Sequence, residues 1–509
     1  MLAKVFIVGA GPGDPGLISV RGRRRLESAD VVVYDRRVSA GVLRLARPDA
    51  EKIEVGAAAP RPLDQDAISL LLVEKARDGK NVVRLKWGDP FVFDSGGKEA
   101  LFLHEQGIPF EVVPGIPSGI GAPAYAGIPV TYPDAGDVLM LVRGHESESD
   151  TPPRLDWDRL AAIDGTLVCH AGAKQVDAIA RALLEHGRAG EEAAALVYDG
   201  TTASQRTVVA TLATIADHAR DKSAATLIVG RVAGLREHLR WFDERPLFGR
   251  RIVVTRSREQ APELVEMLED RGADAIQAPT IRIAAPDDPE ALDRACALAG
   301  SYDWLVFTSA NAVEAFMRRL LALGDIRDLK GVRICAVGPS TAERVSRHGI
   351  RIDLMPEESR AEAVVEALRQ AGDLTDQRIL LPRADIAREV IADELRLAQA
   401  DVTEVVAYRT LLAGTERDGD HDVYRMLLDR QIDAVTFTSA STDRNFAQIF
   451  GQEQAADLLS TTVVASIGPV TAEAAQQLGI ETHVMPKRYT IPDLVDALVD
   501  HFSRKPVAP

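Results

Sequence analysis

Asp35 and the glycine-rich turn before it are the first residues whose types and spacing suggest chemistry. The apolar run 4–8 is followed by three glycines at alternate positions, Gly9, Gly11 and Gly13. A helical stretch and a second apolar run then end in Asp35, roughly twenty positions on, which is the spacing of a dinucleotide-binding turn and its ribose-binding acid. Asp14 argues against this interpretation because its carboxylate would repel a pyrophosphate, and Pro12 removes a backbone N–H donor. The pattern therefore disfavours a nicotinamide or flavin cofactor.

Hydroxyl residues and glycine–proline turns form a second set of candidate binding groups, at points where a strand gives way to a helix. "FTSAN" (307–311) and "FTSAS" (437–441) each supply a Thr and a Ser, and "VGPST" (337–341) and "IGPVT" (467–471) each supply a Gly-Pro and a Thr. Such hydroxyls are expected to cap the helices. Four helix N-termini facing one cleft would also bind carboxylates through N–H groups. The residues concerned are Thr308, Ser309, Gly338, Thr341, Thr438, Ser439, Gly468 and Thr471.

These turns belong to an internal repeat. The segments 306–316 and 334–356 return at 436–446 and 464–486, an offset of 130 positions without a gap, and 251–256 returns at 378–383. Packing alone would explain the repetition of the apolar positions but not that of the Thr, Ser, Gly and Pro residues. We therefore expect two copies of one α/β unit with a cleft between them.

The elements that position these groups follow from composition and periodicity. A chain of 509 residues is too long for a single hydrophobic core, so several domains are expected. Its content of 46% hydrophobic residues with only 5% aromatics is typical of α/β layers. Strand and helix patterns alternate over 4–130, a second series runs over 138–230, and the mixed segment 239–251 is predicted to include a linker.

Charge and cysteine usage exclude several classes of protein. A net charge of −16 argues against non-specific nucleic-acid binding. No apolar run is long enough to span a membrane and no secretory signal is recognisable, so a cytoplasmic protein is expected. The three cysteines, Cys169, Cys296 and Cys335, are expected in the core, and no ligand spacing suggests a metal.

The second half resembles uroporphyrinogen-III synthase over roughly 250–500. The resemblance rests on "IVVTR", "WLVFTSANAV", "AVGPSTAE", "LLPRADIAREV", "VVAYRT", "VTFTSAST", "SIGPVTAE" and "YTIPDLVDAL", in that order. It implies two subdomains, 251–282 plus 411–505 and 284–409, that cyclise hydroxymethylbilane by holding its eight carboxylates. It also implies a substrate-binding role for Arg383 and makes Tyr408 the candidate for assisting hydroxyl departure, with strand packing as the alternative.

The first half resembles S-adenosylmethionine-dependent uroporphyrinogen-III C-methyltransferase over 3–243. Its motifs include "VGAGPGDP", "VVVYDRRVS", "VVRLKWGDPFVF" and "DGTTASQRTV". The resemblance implies a two-lobed tetrapyrrole methyltransferase fold, with lobes 1–135 and 136–243 and a linker at 244–250. It makes Asp35 a catalytic base and implies a methyl-donor site formed by Pro12, Gly88, Asp89, Val92, Pro117, Ser118 and Gly200.

Several positions depart from the methyltransferase pattern: Ala58 and Ser95 replace arginines, a histidine is lost, and three further positions also differ. Ala57 stands where the pattern has a lysine proton donor, Trp87 stands where it has a glycine, and Ala171 stands where it has a pocket methionine. A compensated pocket, in which Ala171 leaves room for Trp87, is one interpretation of these changes. The chain is thus expected to be a fusion whose product is precorrin-2, with a possible homodimer through the first half. The alternative is an active synthase behind a non-catalytic tetrapyrrole-binding module.

Overall fold

In the computed structural model of the chain, the structure describes residues 3–56, 62–144, 154–219, 225–258, 260–356, 361–385, 390–412 and 422–504. Four sheets organise these residues. No helix among them is both long and apolar enough to cross a bilayer.

Lobe 1 is a parallel sheet with strand order β3-β2-β4-β1-β5. Val, Ile and Leu fill both faces of its central strands, as expected for a parallel sheet covered by helices. Its elements are β1 (Val5–Gly9), α1 (Val20–Glu27), β2 (Val31–Asp35), α2 (Ala40–Leu43), β3 (Glu51–Val55), α3 (Gln65–Arg77), β4 (Val82–Lys86), α4 (Gly96–Glu105), β5 (Phe110–Val113) and α5 (Ser118–Tyr125).

Lobe 2 is a mixed sheet with order β6-β7-β10-β8-β9, in which only β6 and β7 pair in parallel among the described strands. Its elements are β6 (Leu139–Val142), α6 (Trp157–Ala162), β7 (Thr166–Ala171), α7 (Ala173–Glu185), β8 (Ala193–Tyr198), β9 (Arg206–Thr211), β10 (Ala225–Val229) and α8 (Arg236–Leu239).

The segment after α8 is packed rather than loose. Trp241 donates its indole N–H to the carbonyl of Ala124, 3.1 Å away, and Phe242 lies against Phe248 with ring centroids 5.5 Å apart. Leu247 is fully buried in the next hydrophobic core. The predicted linker, 244–250, therefore fixes the end of lobe 2 to the following subdomain.

The outer subdomain takes strands from both ends of the second half, in the parallel order β12-β11-β18-β19. Its elements are β11 (Arg251–Val254), α9 (Pro262–Asp270) and β12 (Asp274–Gln277), and later α15 (Val423–Leu428), β18 (Ala434–Phe437), α16 (Ala440–Phe450), α17 (Gln452–Leu459), β19 (Val463–Ser466), α18 (Pro469–Gln477) and α19 (Ile491–Arg504).

The inserted subdomain lies between those two stretches and has the strand order β13-β17-β16-β14-β15. Strands β13 and β17, which carry the chain into and out of it, pair antiparallel. Its elements are β13 (Ile281–Ala284), α10 (Pro289–Ala297), β14 (Trp304–Phe307), α11 (Ala310–Leu323), β15 (Arg333–Ala336), α12 (Pro339–Arg347), α13 (Ala361–Ala371), β16 (Arg378–Ala384), α14 (Val390–Leu397) and β17 (Asp401–Leu412).

The internal duplication is confirmed by the topology. The order β12-β11-β18-β19 in the outer subdomain corresponds strand by strand to β17-β16-β14-β15 in the inserted one. Isolated bridges also recur 130 positions apart, Cys335 to Leu354 and Ala465 to Val484. The repeated sequence thus specifies the same packing twice.

The three cysteines lie in cores, as predicted, and are free thiols. Burial raises the pKa of Cys169, Cys296 and Cys335 to about 12.

Candidate functional site

A cleft of about 650 Å³ lies between lobes 1 and 2. It opens at the carboxyl ends of the parallel strands β2 and β4, the edge where open α/β sheets bind ligands. The first turn of α5 and strands β6 and β7 complete its walls. Six of the residues predicted for the donor site and the base line this cleft: Asp35, Gly88, Asp89, Val92, Pro117 and Ser118.

Pro12 and Gly200, the other two residues predicted for the methyl-donor site, do not line the cleft but pack against α5. A Cβ added at Gly200 would come within 2.4 Å of the Ala122 side chain. A Cβ added at Gly121 would meet the ring of Pro12 at 2.6 Å. Both positions set how closely α5 approaches the neighbouring loops.

Close backbone approach shapes the floor of the cleft. Gly88 has φ +69°, and a Cβ at Gly115 would lie only 2.2 Å from its carbonyl oxygen. Asp89 holds this arrangement, because its carboxylate accepts the backbone N–H groups of Phe91 and Gly115 at 2.8 and 3.0 Å. The "WGD" segment is therefore a turn that follows β4 and is hydrogen-bonded to the loop after β5.

Asp35 is held by a buried charge network under the cleft. The Arg84 guanidinium donates to Asp35 at 2.5 Å and to Glu99 at 3.1 Å. The Lys86 ammonium lies 3.8 Å from Asp35, 2.9 Å from Asp94 and 3.2 Å from Glu99. The side chains of Arg84, Lys86 and Glu99 are at most 1% exposed, whereas that of Asp35 is 28% exposed. The network thus presents the carboxylates of Asp35 and Asp94 to the cleft and buries its other members.

The members of this network stabilise one another's charges. Burial alone would raise the pKa of Glu99, but Arg84 and Lys86 hold it below its usual value. Burial likewise opposes the charge on Arg84, but Glu99 and Asp35 raise its pKa. Sequence reasoning missed Arg84, Lys86 and Glu99 as site residues. The available signal was a pair of cations in "VVRLK", a strand of a parallel sheet that is buried on both faces.

Trp87 forms a contact that crosses the cleft. Its indole N–H donates to the carbonyl of Pro12 at 3.1 Å, and its ring lies 5.3 Å from the imidazole of His170. The Arg37 guanidinium lies over the indole at 5.2 Å, and its Nη1 is 2.9 Å from His170 Nε2. Arg37 follows β2 in lobe 1, whereas His170 belongs to β7 in lobe 2. The sequence analysis did not identify Arg37 or His170 as site residues, because they are 133 positions apart and no local pattern joins them.

The idea that Ala171 makes room for Trp87 is wrong. Side chains alternate across a strand, so His170 faces the cleft and Ala171 faces the opposite side of β7. Ala171 is fully buried there in the lobe 2 core, beside Cys169. Ala57, the other departure, lies outside the described residues.

The second half presents four helix N-termini at the predicted turns. Ser309 caps α11 by accepting the N–H of Ala312 at 3.1 Å, as predicted. At α16 the Thr442 hydroxyl accepts the N–H of Ser439 at 3.3 Å. Thr308 and Thr438 are half-buried at equivalent ends of β14 and β18.

The expectation that Thr341 and Thr471 cap their helices is wrong. The N-cap residues of α12 and α18 are Gly338 and Gly468, and neither helix has a side-chain cap. A proline follows each glycine at the first helical position, where its missing N–H leaves no donor unsatisfied. Thr341 and Thr471 are therefore buried inside the first turn, 6% and 4% exposed.

Tyr408 lies in β17 at the end of the inserted subdomain. It is buried, and its hydroxyl is 3.1 Å from that of Ser309, the cap of α11. Burial raises the pKa of Tyr408, although hydrogen bonds with Ser309 and Asn311 oppose the shift. The phenol therefore keeps its proton at neutral pH and lies beside a helix N-terminus.

Arg383 is already engaged in an ion pair. Its Nη1 donates to Glu404 at 2.6 Å, and Arg396 donates to the other oxygen of that carboxylate at 2.7 Å. The described residues contain no group of three His, Cys, Asp or Glu side chains able to hold a metal.

Each half of the chain matches a known protein family. Residues 4–216 match the family model for tetrapyrrole (corrin/porphyrin) methylases, and residues 262–496 match that for uroporphyrinogen-III synthase HemD. The chain is 36% identical over 503 residues to porphyrin biosynthesis protein HemD of Ruminiclostridium josui, covering 97% of each chain. The chain belongs to this fused methylase–synthase family. It is an enzyme of tetrapyrrole biosynthesis with a methylase module, lobes 1 and 2, and a synthase module, the outer and inserted subdomains.

Two further relatives are similar to large parts of the chain. Uroporphyrinogen-III C-methyltransferase of Bacillus subtilis (strain 168) is 37% identical over 367 residues, which cover 71% of this chain and 75% of that protein. The crystal structure of uroporphyrin-III-C-methyltransferase from Thermus thermophilus covers 47% of this chain and 98% of its own, with 35% identity and a TM-score of 0.40.

The glycine-rich turn of the methylase module is thus no dinucleotide cradle. Asp14 instead caps the short helical turn Pro15–Leu17, accepting the N–H of Gly16 at 2.7 Å. The Tyr125 hydroxyl also donates to Asp14 at 2.6 Å.

Proposed function

We propose that the synthase module cyclises hydroxymethylbilane to uroporphyrinogen III. The observation that carries this proposal is the buried, protonated Tyr408 beside Ser309, at one of four helix N-termini built by a duplicated unit. Helix N-termini bind carboxylates without adding positive charge. They would therefore let a chain of net charge −16 hold an octacarboxylate.

The proposed reaction needs positioning more than strong acid–base catalysis. Tyr408 donates a hydrogen bond to the departing hydroxyl. The C–O bond breaks, the pyrrole N–H gives up its proton, and the hydroxyl and this proton leave together as water, which generates an electrophilic azafulvene. The helix N-termini, with Thr308, Ser309, Thr438 and Ser439 beside them, hold the chain so that attack with inversion of the last ring is favoured. In this proposal Arg383 acts through its pair with Glu404, which fixes β16 against β17.

We propose that the methylase module then methylates uroporphyrinogen III to precorrin-2, on the way to sirohaem or cobalamin. Gly88 leaves open the space beside the first turn of α5, where a Cβ would lie 3.6 Å from the backbone nitrogen of Ser118, and S-adenosylmethionine would bind there. Gly88, Asp89, Val92, Pro117 and Ser118 would line the donor site, with Pro12 and Gly200 supporting it. When bound, S-adenosylmethionine supplies an electrophilic methyl group. Asp35, positioned by its hydrogen bond from Arg84 and by Lys86 at 3.8 Å, accepts the proton that leaves the methylated ring.

The second candidate function of the methylase module is non-catalytic: it would bind tetrapyrroles and hand them over. The observation that favours it is Trp87, whose ring fills space in the cleft that a glycine would leave open, together with the change at Ala57. Homodimerisation through the methylase module is a further part of the proposal and does not depend on this choice.

Product analysis tests both activities. The full chain is incubated with hydroxymethylbilane, with and without S-adenosylmethionine, and the products are separated by chromatography after oxidation. We expect the type III isomer in both cases and a dimethylated product only with the donor. Tyr408→Phe should slow the first step alone and Asp35→Asn the second alone. Formation of the spontaneous type I isomer alone would refute the synthase proposal, and donor-independent product patterns would favour the non-catalytic module.

A further inference from the structure

A hydrogen bond joins the two subdomains of the synthase module and ends close to Tyr408. Gln260, in the outer subdomain between β11 and α9, donates from Nε2 to Oδ1 of Asn311 at 3.3 Å. Asn311 is the second residue of α11 in the inserted subdomain, and both side chains are half-buried. Asn311 also forms a hydrogen bond with the hydroxyl of Tyr408. The outer subdomain is therefore linked to the residue proposed to assist hydroxyl departure.

The two ends of the Asn311 amide have different partners. Its carbonyl oxygen accepts from Gln260, so its NH2 group is the end that can serve Tyr408. A donor stabilises the phenolate more than the phenol, and the hydrogen bond from Asn311 accordingly lowers the pKa of Tyr408 against the effect of burial. Gln260 thus fixes which end of the amide faces the phenol.

Ser309 supplies a second donor to the same phenol. The Ser309 oxygen already accepts the N–H of Ala312 at 3.1 Å, and its hydroxyl lies 3.1 Å from that of Tyr408. When Ser309 donates its proton, the Tyr408 oxygen accepts two hydrogen bonds, which occupy both of its lone pairs. The phenolic proton is then directed away from both donors.

The internal repeat shows that Asn311 is not needed to form its helix. The residue 130 positions later is Ser441, at the same place in α16, and both helices begin with the segment Thr-Ser-Ala. The Ser441 hydroxyl lies 2.9 Å from that of Ser439. Helix formation therefore does not explain the asparagine, whereas its contacts with Gln260 and Tyr408 do.

We propose that Asn311 is a positioning residue of the synthase module: held by Gln260 from the opposite subdomain, its NH2 group donates to Tyr408 and directs the phenolic proton to the departing hydroxyl. This inference rests on the proposed function of the module. It ties a proton donor of the inserted subdomain to a residue of the outer one. Both subdomains must therefore be in place for Tyr408 to be correctly oriented.

A double-mutant cycle on the full chain tests the proposal. The rate of type III isomer formation from saturating hydroxymethylbilane is measured for the parent chain, Asn311→Ser, Tyr408→Phe and the double variant. Serine is the residue that α16 has at this position, so α11 should still form. We expect Asn311→Ser to slow cyclisation by about tenfold, as for loss of one hydrogen bond. In the Tyr408→Phe background it should change the rate by less than about twofold, because the hydroxyl on which it acts is gone.

Removing Gln260 tests the link between the subdomains. Gln260→Ala should slow cyclisation by about threefold or more, because the Asn311 amide is then free to turn. Gln370→Ala is the matched control: this exposed amide bonds Glu366 on the same helix, α13, and its loss should leave the rate unchanged. A parent-like rate in Asn311→Ser or Gln260→Ala, or an equal loss from Asn311→Ser with and without the Tyr408 hydroxyl, would overturn the proposal.

Fluorine NMR supplies a readout that does not depend on activity. The chain contains eight tyrosines, and after labelling with 3-fluorotyrosine the variant Tyr408→Phe assigns one signal. Fluorination lowers the phenol pKa and brings ionisation into an accessible pH range. Asn311→Ser should raise the pH of the Tyr408 transition by about one unit, because the phenolate loses a donor. Asp385, which also raises the pKa of Tyr408, is the same in both chains.

The two readouts separate failure of this inference from failure of the proposed function. A raised Tyr408 transition in a chain that forms only the type I isomer would support the positioning of Tyr408 by Asn311 and refute the synthase activity. Cyclisation that Tyr408→Phe slows, while the Tyr408 transition does not respond to Asn311→Ser, would refute the inference and leave the proposed function standing. A parent-like rate in Tyr408→Phe would refute both roles of the phenol.

Discussion

Asp443 should make the outer subdomain less stable as the pH rises. Its side chain is fully buried in the first turns of α16, and neither carboxyl oxygen has a hydrogen-bond partner among the described residues. The equivalent position in the other copy of the repeat, 130 residues earlier, is the buried Val313. The duplicated core thus contains a carboxylic acid where its twin contains a hydrocarbon.

The magnitude follows from the pKa of this group. Burial raises the pKa of Asp443 from 3.8 to about 7. The folded state then holds a proton that the unfolded state releases, so stability declines between pH 3.8 and about pH 7 and is level outside that window. Between pH 5 and pH 8 the loss comes to about 3 kcal/mol, at 1.36 kcal/mol per pKa unit.

Scanning calorimetry of the full chain from pH 5 to pH 8 measures this effect. Asp443→Asn keeps the shape but does not titrate, and Asp443→Val copies the other half of the repeat. In both, the transition of the outer subdomain should lose most of its pH dependence, and at pH 8 it should lie above that of the parent chain. Asp457→Asn, an exposed carboxylate on α17, is the control and should behave like the parent. Parallel pH profiles in Asp443→Asn and the parent chain would refute the reasoning.

Four further predictions concern stability and reactivity. Lys86→Met should destabilise lobe 1 by about 3 kcal/mol or more in urea unfolding, because Glu99 loses a buried partner; a neutral effect would contradict the ion network. Gly115→Ala should destabilise lobe 1 by about 1–3 kcal/mol and reduce the affinity for S-adenosylmethionine in calorimetry, because its Cβ meets the backbone of Gly88. Unaltered binding of S-adenosylmethionine would show that this turn does not shape the methyl-donor site. Ser309→Ala should cost about 1 kcal/mol through its lost cap and slow cyclisation, measured by unfolding and by product formation; an unchanged rate would restrict Ser309 to capping. The three cysteines should resist a thiol reagent at pH 8 until the chain unfolds, and rapid labelling would contradict their burial.

The sequence by itself determined the α/β class, the repeat and both family resemblances. Apolar periodicity and the 130-residue offset are properties of the chain, and they sufficed to predict the duplicated subdomains. The end of β2 at Asp35 and the cap at Ser309 were also predicted, because strand-to-helix turns carry local signals. Local interactions of this kind depend on neighbours within a few positions.

The tertiary structure decided which charges and rings meet. Thr341 looked like a cap, but the helix begins at Pro339 and its N-cap is Gly338, three positions before Thr341. Ala171 looked like a pocket residue, but strand alternation turns it into the core. The residue types in a motif do not state at which residue a helix begins or which side of a strand a side chain faces. The motifs alone therefore could not place Thr341 or Ala171.

Long-range contacts account for the rest. Arg84 and Lys86 become a support for Asp35 only because β4 lies beside β2 with both faces covered, so burial forces each charge to find a partner. Arg37 and His170 are 133 positions apart and meet because two lobes close over one cleft. Sequence specifies which groups are present, whereas packing fixes their distances and removes their water, and on those two quantities the strength of an electrostatic contact depends.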